Sequence, residues 1–337
     1  MISLLKEVGR GKRGAKDLSY KEALKAAEHI LTGKATPSQI GAFLIAERIK
    51  MESQEEIQAF IEVCKLHSLR YPMENSIDCA GPYDGRNSSF IATIPTAFVL
   101  AACGLPVTLH GGKTLPPKLG VTLYDVMNEM CRDGNISNKN LLKGAEEAGI
   151  LFVETEKWCP PLEKMRTIRE EIGMRTLFNT VEKYLRFSNS SYMAVGVFHG
   201  TVFEKMAKLL SNLGIQKGII VQGMEGSEDI SVEKQTRTLI VKDEQHELFI
   251  IDPEVLEMQC DFPEVNWTVE KQTSTALDVL KGTAELPFHN MVILNSAVRL
   301  WVADKVDSIE QGIYSVRHIL EQGLAYKQYQ KWIRAIH

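Results

Sequence analysis

From residue 76 onward, short apolar runs alternate with amphipathic stretches, and this alternation constrains the fold more than any other feature of the chain. "SIDCAG" (76–81), "PVTLHG" (106–111), "ILFVE" (150–154), "YMAVGVFHG" (192–200) and "KGIIVQG" (217–223) read as strands. Each is short, apolar and bounded by turn residues. Between them, "TAFVLAACG" (96–104), "TLYDVMNEM" (122–130) and "FEKMAKLLSNLG" (203–214) read as helices. Strands separated by helices pair in parallel, because a parallel neighbour is reached only by a crossover. The expectation is a layered α/β domain around a largely parallel sheet. "RTLIVKDEQHELFIID" (237–252) breaks the rule and resembles a hairpin with a polar turn. The tail, 268–335, reads as mostly helical.

The first 70 residues have a different period. "SYKEALKAAEHILTG" places Ser19 at a cap position, Glu22 three residues on and a glycine at the end. "TPSQIGAFLIAERIKM" begins with Thr36 as cap and Pro37 in the first turn. Ser53 and Glu56 repeat the device. A helical N-terminal domain over 1–71 and an α/β domain over 72–337 follow, joined by the linker "RYPMENS". Part of 160–190 is expected to pack with the helical domain.

Composition excludes little but helps. Hydrophobic residues are 44% and charged residues 24%, ordinary values for a globular chain. The net charge of −4 gives no gross attraction to nucleic acid or anionic membrane, although a local patch is still free to bind polyanions. Six cysteines, at 64, 79, 103, 131, 159 and 260, form no CxxC pair and no zinc spacing. With no secretory leader pattern and no span-length apolar run, a cytoplasmic protein without a membrane partner is expected. The least charged run, 94–109, holds two prolines and a glycine and reads as buried core.

Three loops carry candidate chemistry. "GPYDGRNSSF" (81–90) follows the first strand and precedes a helix, where free N–H groups suit an anion. "LHGGKTLPPKLG" (109–120) is a second such transition, and "VQGMEGSEDIS" (221–231) a third with adjacent acids Glu228 and Asp229. Loops at the carboxyl ends of neighbouring parallel strands converge on one crevice. Paired acids in such a loop suit hydrated magnesium. Taken singly, each loop is equally a solvated turn.

Order and spacing together point further. "GKATPSQIGAFLIAERIKMES", "AFVLAACGLPVTLHG", "IREEIGMRTLFN", "MEGSEDIS" and "LNSAVRLWVADKVDSIEQG" resemble, in sequence, segments of the anthranilate phosphoribosyltransferase family, a glycosyltransferase family 3 fold. The resemblance implies a phosphoribosyl pyrophosphate (PRPP) cleft at Gly81, Asp84, Gly85, Arg86, His110, Gly111, Lys113 and Lys118. It implies magnesium at Glu228 and Asp229, and a homodimer through the helical domain. Arg169 stands at the arginine that meets the anthranilate carboxylate.

The departures cluster at that cleft. The family's "GTGGDG" and "NIST" appear as "GPYDGR" and "IATI", and its "KHGNR" as Leu109-His110-Gly111-Gly112-Lys113. Pro82 removes an N–H donor, and Tyr83 puts bulk where a glycine let backbone approach a diphosphate. The hydroxyls of the second loop are replaced by Leu115, Pro116 and Pro117, and the histidine–proline pair by Cys159-Pro160. This pattern resembles TrpD-like paralogues, which keep the fold and dimer without the transferase activity, some of them binding nucleic acid non-specifically.

Candidate phosphate contacts are Lys6, Arg10, Lys12, Arg13 and Lys16, five cations in the eleven residues 6–16, with Arg86, Lys113, Lys118, Arg166, Arg169, Arg175, Lys183 and Arg186. The expected function is therefore polyanion binding, with an active PRPP- and magnesium-dependent transferase as the alternative.

Overall fold

The computed structural model describes residues 1–11, 13–131 and 136–337. Four helices open the chain: α1 (Ile2–Val8), α2 (Tyr20–Leu31), α3 (Pro37–Lys50) and α4 (Gln54–Leu66). The last three begin where their caps place them. Ser19, Thr36 and Ser53 form capping boxes with Glu22, Gln39 and Glu56. Each box satisfies donors that the first helical turn leaves open.

The rest of the chain alternates. In order come β1 (Ile77–Ala80), α5 (Thr93–Ala102), β2 (Val107–Gly111), α6 (Leu123–Cys131), α7 (Asn138–Ala148) and β3 (Ile150–Glu154). Then come α8 (Thr155–Trp158), α9 (Pro160–Ile172), α10 (Phe178–Val181), β4 (Tyr192–Gly196), α11 (Phe203–Asn212) and β5 (Lys217–Val221). The hairpin β6 (Thr236–Lys242) and β7 (Gln245–Ile251) precedes α12 (Val269–Lys281), α13 (Leu286–Val302), α14 (Ile309–Glu321) and α15 (Leu324–Ile336).

The sheet order is β3-β2-β1-β4-β5-β6-β7, with the first five strands parallel and the hairpin antiparallel at one edge. Every residue of β1, β2, β4 and β5 is buried, because helices cover both faces. Alternate residues serve different cores. Ile150, Phe152 and Ile219 join one with α5 and the C-terminal helices. Leu151, Val153 and Ile220 join the other with the N-terminal helices. That second core includes Trp158, Leu162, Met165, Phe178 and Tyr184, so the segment around α9 and α10 packs with the helical region. Phe60 meets Phe178 edge-on, with centroids 5.6 Å apart.

The strand order reverses between β1 and β4, which are parallel neighbours although β2 and β3 lie between them in sequence. The crevice at that switch point is where open α/β sheets place their ligands. Among the described residues, no helix is long and apolar enough to cross a membrane.

Candidate functional site

The loops after β1 and β2 are zipped together rather than held open. Arg86 N–H donates to the Val121 carbonyl at 2.8 Å, and Val121 N–H returns the bond at 3.0 Å. Gly120 N–H reaches the Asp84 carbonyl at 3.0 Å and Leu115 N–H the Tyr83 carbonyl at 3.2 Å. Gly85 makes this possible: its φ is 77°, and a Cβ there would sit 2.2 Å from the Gly120 oxygen. Tyr83 and Leu115 fill the space between the loops, with 3% and 1% of their surfaces exposed, whereas Leu119 projects outward at 61%. Gly81, directly after β1, and Gly111, the last residue of β2, are buried with them.

The Tyr83 ring ends in a polar chain. Its Oη lies 2.7 Å from His110 Nδ1 and 2.6 Å from Thr155 Oγ1, and His110 Nε2 lies 2.9 Å from Asp78 Oδ1. A carboxylate only accepts, so Nε2 carries a proton towards Asp78, and in the neutral imidazole Nδ1 then accepts from the phenol. Thr155 then donates to Oη. All four side chains are buried, and burial, its largest cause, raises the Tyr83 pKa well above the ordinary phenol. His110, expected to face a diphosphate, is consumed in holding Tyr83.

Asp229 is equally occupied, whereas Glu228 Oε2 is buried without a hydrogen-bond partner. Arg86, expected to meet phosphate, turns inward instead; it is 1% exposed and donates to Asp229 Oδ2 at 2.7 Å and to the Phe90 carbonyl at 2.8 Å. Arg299, from the middle of α13, reaches Asp229 Oδ1 at 3.1 Å and the Glu228 carbonyl at 3.2 Å. Thr93 Oγ1 donates at this same pair of acids, lying 2.7 Å from Asp229 Oδ1. Burial pushes the Asp229 pKa up, but Arg86, Arg299 and Thr93 outweigh it and hold the carboxyl below its usual range. Two guanidinium groups thus stand where magnesium was expected. Among the described residues there is no group of three or more His, Cys, Asp or Glu that could hold a metal.

Glu225 supplies an anion to the first loop. Its carboxylate accepts from Asn87 N–H at 2.9 Å, Ser88 N–H at 3.2 Å and Ser89 Oγ at 2.6 Å. Two successive amides and a hydroxyl are a phosphate's kind of partner. Glu225 holds this position at a φ of 54°, an unfavourable region for a residue with a Cβ. Asp84 is matched by Arg175, at 2.7 Å and 3.0 Å, and by Lys118 at 3.4 Å.

Arg169 is likewise matched. It forks onto Glu182, with Nη2 2.9 Å from Oε2, and both side chains are buried. Its neighbour Glu170 instead pairs with Arg166 at 3.1 Å, and Arg166 also holds Glu156 at 2.7 Å. Lys183 Nζ donates to the carbonyls of Gly196 and Gly226 at 2.8 Å and 3.0 Å. Burial brings its pKa down to about 8. Arg186 donates to the Leu213 and Ser190 carbonyls.

The candidate cations therefore divide. Arg86, Arg166, Arg169, Arg175, Lys118, Lys183 and Arg186 bond acids or carbonyls of the chain itself. Lys6, Arg10, Arg13, Lys16 and Lys113 are exposed, Arg10 beside Glu7. Lys12 lies outside the described residues. Glu182, Glu225 and Arg299 went unrecognised in the sequence. A single arginine within the apolar "LNSAVRLWV" was the available signal, since a buried guanidinium demands counter-charges.

The model of the glycosyl transferase family α/β domain matches residues 77–326, and that of the family's helical bundle domain matches residues 2–67. Anthranilate phosphoribosyltransferase from Acetivibrio thermocellus is 31% identical over 94% of this chain and 92% of its own length. The chain belongs to the anthranilate phosphoribosyltransferase family. Two solved structures share the fold of this family member. The Thermus thermophilus anthranilate phosphoribosyltransferase has a TM-score of 0.85 at 22% identity, covering 100% of this chain and 99% of that one. The Saccharomyces cerevisiae enzyme in complex with PRPP and Mg has a TM-score of 0.83 at 17% identity, covering 99% and 97%.

Proposed function

We propose that this family member has given up phosphoribosyl transfer and binds nucleic acid or another polyanion. One observation carries the reading. The charged groups of the inherited cleft are neutralised from within: Arg169 by Glu182, Asp229 by Arg86 and Arg299, the first-loop donors by Glu225. A diphosphate would have to displace a carboxylate, and a divalent cation two guanidinium groups. Meanwhile Arg13 and Lys16 remain exposed on one short segment and are free to meet phosphates. Polarisation of labelled duplex oligonucleotides tests this. Binding at low salt should weaken with a log–log slope of about −0.9 per phosphate neutralised. Absence of binding at low salt would sink it.

A second copy covers the groove between α1 and α3 in this reading. Ile2 and Ile49 are 61% and 69% exposed there, and with Leu5, Val8, Ile45 and Ala46 they line a volume of about 850 Å³. Light scattering should give twice the chain mass, and Ile49→Glu should give a monomer. A monomeric wild-type protein would refute this arrangement.

The competing reading, an active transferase, is supported by the names of the curated relatives. Pyrophosphate release from PRPP with anthranilate and magnesium would establish it.

A further inference from the structure

What the counter-charges leave of the cleft is a cavity of about 190 Å³ between the end of α3, the start of α11 and the loops after β1, β4 and β5. It is smaller than the roughly 300–1,000 Å³ of a drug-sized site, so it takes one small group. Its charges balance: Arg175, Lys183 and Lys205 line it with Glu52, Asp84 and Glu225. Asp84 already holds Arg175 at 2.7 Å, and Lys205 Nζ donates to the Glu52 carbonyl at 2.9 Å. Such a lining has no net charge to draw in a free anion. Half-buried Asn179 and Thr180 add neutral polar groups to the wall. Asn179 Oδ1 accepts from Thr176 N–H at 2.9 Å, which leaves the amide NH2 to donate.

The mouth has a different character. Phe198 and Met51 stand there, 51% and 65% exposed. Arg175 Cζ lies 5.7 Å from the Phe198 centroid, and the His199 ring meets Phe198 edge-on at 4.8 Å. The ring is thus braced while half its surface faces solvent. A braced ring beside an adaptable methionine suits stacking by a flat group. The mouth also adjoins the exposed cations. Asp17, next to Lys16, accepts from Lys50 Nζ at 2.9 Å, and Met51 follows Lys50 directly.

We propose that this cavity takes one unstacked base of a single-stranded nucleic acid. The base lies against Phe198 with its edge towards Asn179 and Thr180, and the strand's phosphates run onto Arg13 and Lys16. The inference rests on the polyanion reading above and names its ligand as a strand whose bases can leave the stack. Bases in a duplex are stacked and paired, so a duplex meets the cations alone. Every base has a π-face, so the site tolerates any sequence.

Polarisation with a labelled single strand and with its duplex tests this on the full chain. Phe198→Ala should weaken single-strand binding by about 5- to 150-fold and leave duplex binding unchanged. Phe198→Trp should keep the single-strand affinity, because the larger ring still stacks. A single strand carrying 2-aminopurine should change its emission on binding wild type and not on binding Phe198→Ala. Thermal unfolding checks that the variants are folded, and unchanged duplex binding is a second check. Wild-type single-strand affinity in Phe198→Ala, or equal losses for strand and duplex, would overturn the inference while leaving the polyanion reading standing. Failure of wild type to bind either form at low salt would instead overturn that reading and this inference with it.

Discussion

Arg169 and Glu182 form a buried two-pronged ion pair, with Arg169 Nη2 and Glu182 Oε2 2.9 Å apart, at the position where family resemblance puts a substrate carboxylate. The chain supplies the anion that a substrate would bring. Removing one partner strands the other in the interior. Glu182→Ala should cost about 3–5 kcal/mol in urea unfolding, whereas replacing both residues with apolar ones of similar volume should cost far less. Equal losses for the single and double variants would show that the pair does not act as a unit.

Asp229 predicts an acid-side pH dependence. Its folded pKa lies below its unfolded value, held there by Arg86 and Arg299 against burial. Its stabilisation is therefore present above about pH 4 and is lost as pH falls through the lower folded value. Unfolding midpoints between about pH 5 and pH 2 should fall more steeply for the wild type than for Asp229→Asn. Parallel curves would refute the assignment.

Glu47 predicts the opposite sign. Buried between α3 and its surroundings with no hydrogen-bond donor on either oxygen, it has its pKa raised to about 9 by burial first and by the Glu56 charge second. Lys50 Nζ, 3.2 Å from Glu47 Oε2, offsets part of that rise. The folded state holds a proton that the unfolded state releases above about pH 4.5, so stability declines from there up to the folded value. Glu47→Gln should remove that decline, and the gap in unfolding free energy between variant and wild type should widen from pH 5 to pH 8. A constant gap would show that Glu47 is ionised.

Tyr83 should act as a structural plug. Tyr83→Phe leaves His110 Nδ1 and Thr155 Oγ1 short of a partner and should cost about 1–3 kcal/mol. Tyr83→Ala also opens a cavity and should cost about 3–5 kcal/mol. Thermal unfolding ranks the two, and a destabilisation near zero for both would contradict the plug.

The fold was legible because its signals are local. Ser19, Thr36 and Ser53 each announce a helix within three residues, and the all-buried strands leave uninterrupted apolar runs such as "GIIV". The site was legible in position but not in partnership. "GPYDGR" gives no hint that Arg86 turns inward, since its counter-ion Asp229 is 143 residues away. Arg169 sits beside Glu170 in sequence, yet helix geometry gives Glu170 to Arg166 four residues earlier and leaves Arg169 facing Glu182. Glu225 was hidden for the same reason: its partners Asn87, Ser88 and Ser89 lie on another strand's loop.

The central claim is that the charged groups of the cleft are neutralised by the chain's own counter-charges. Calorimetric titration of the wild-type protein with PRPP in the presence of magnesium tests it most directly. The account predicts no saturable heat. A stoichiometric site of micromolar affinity would contradict it.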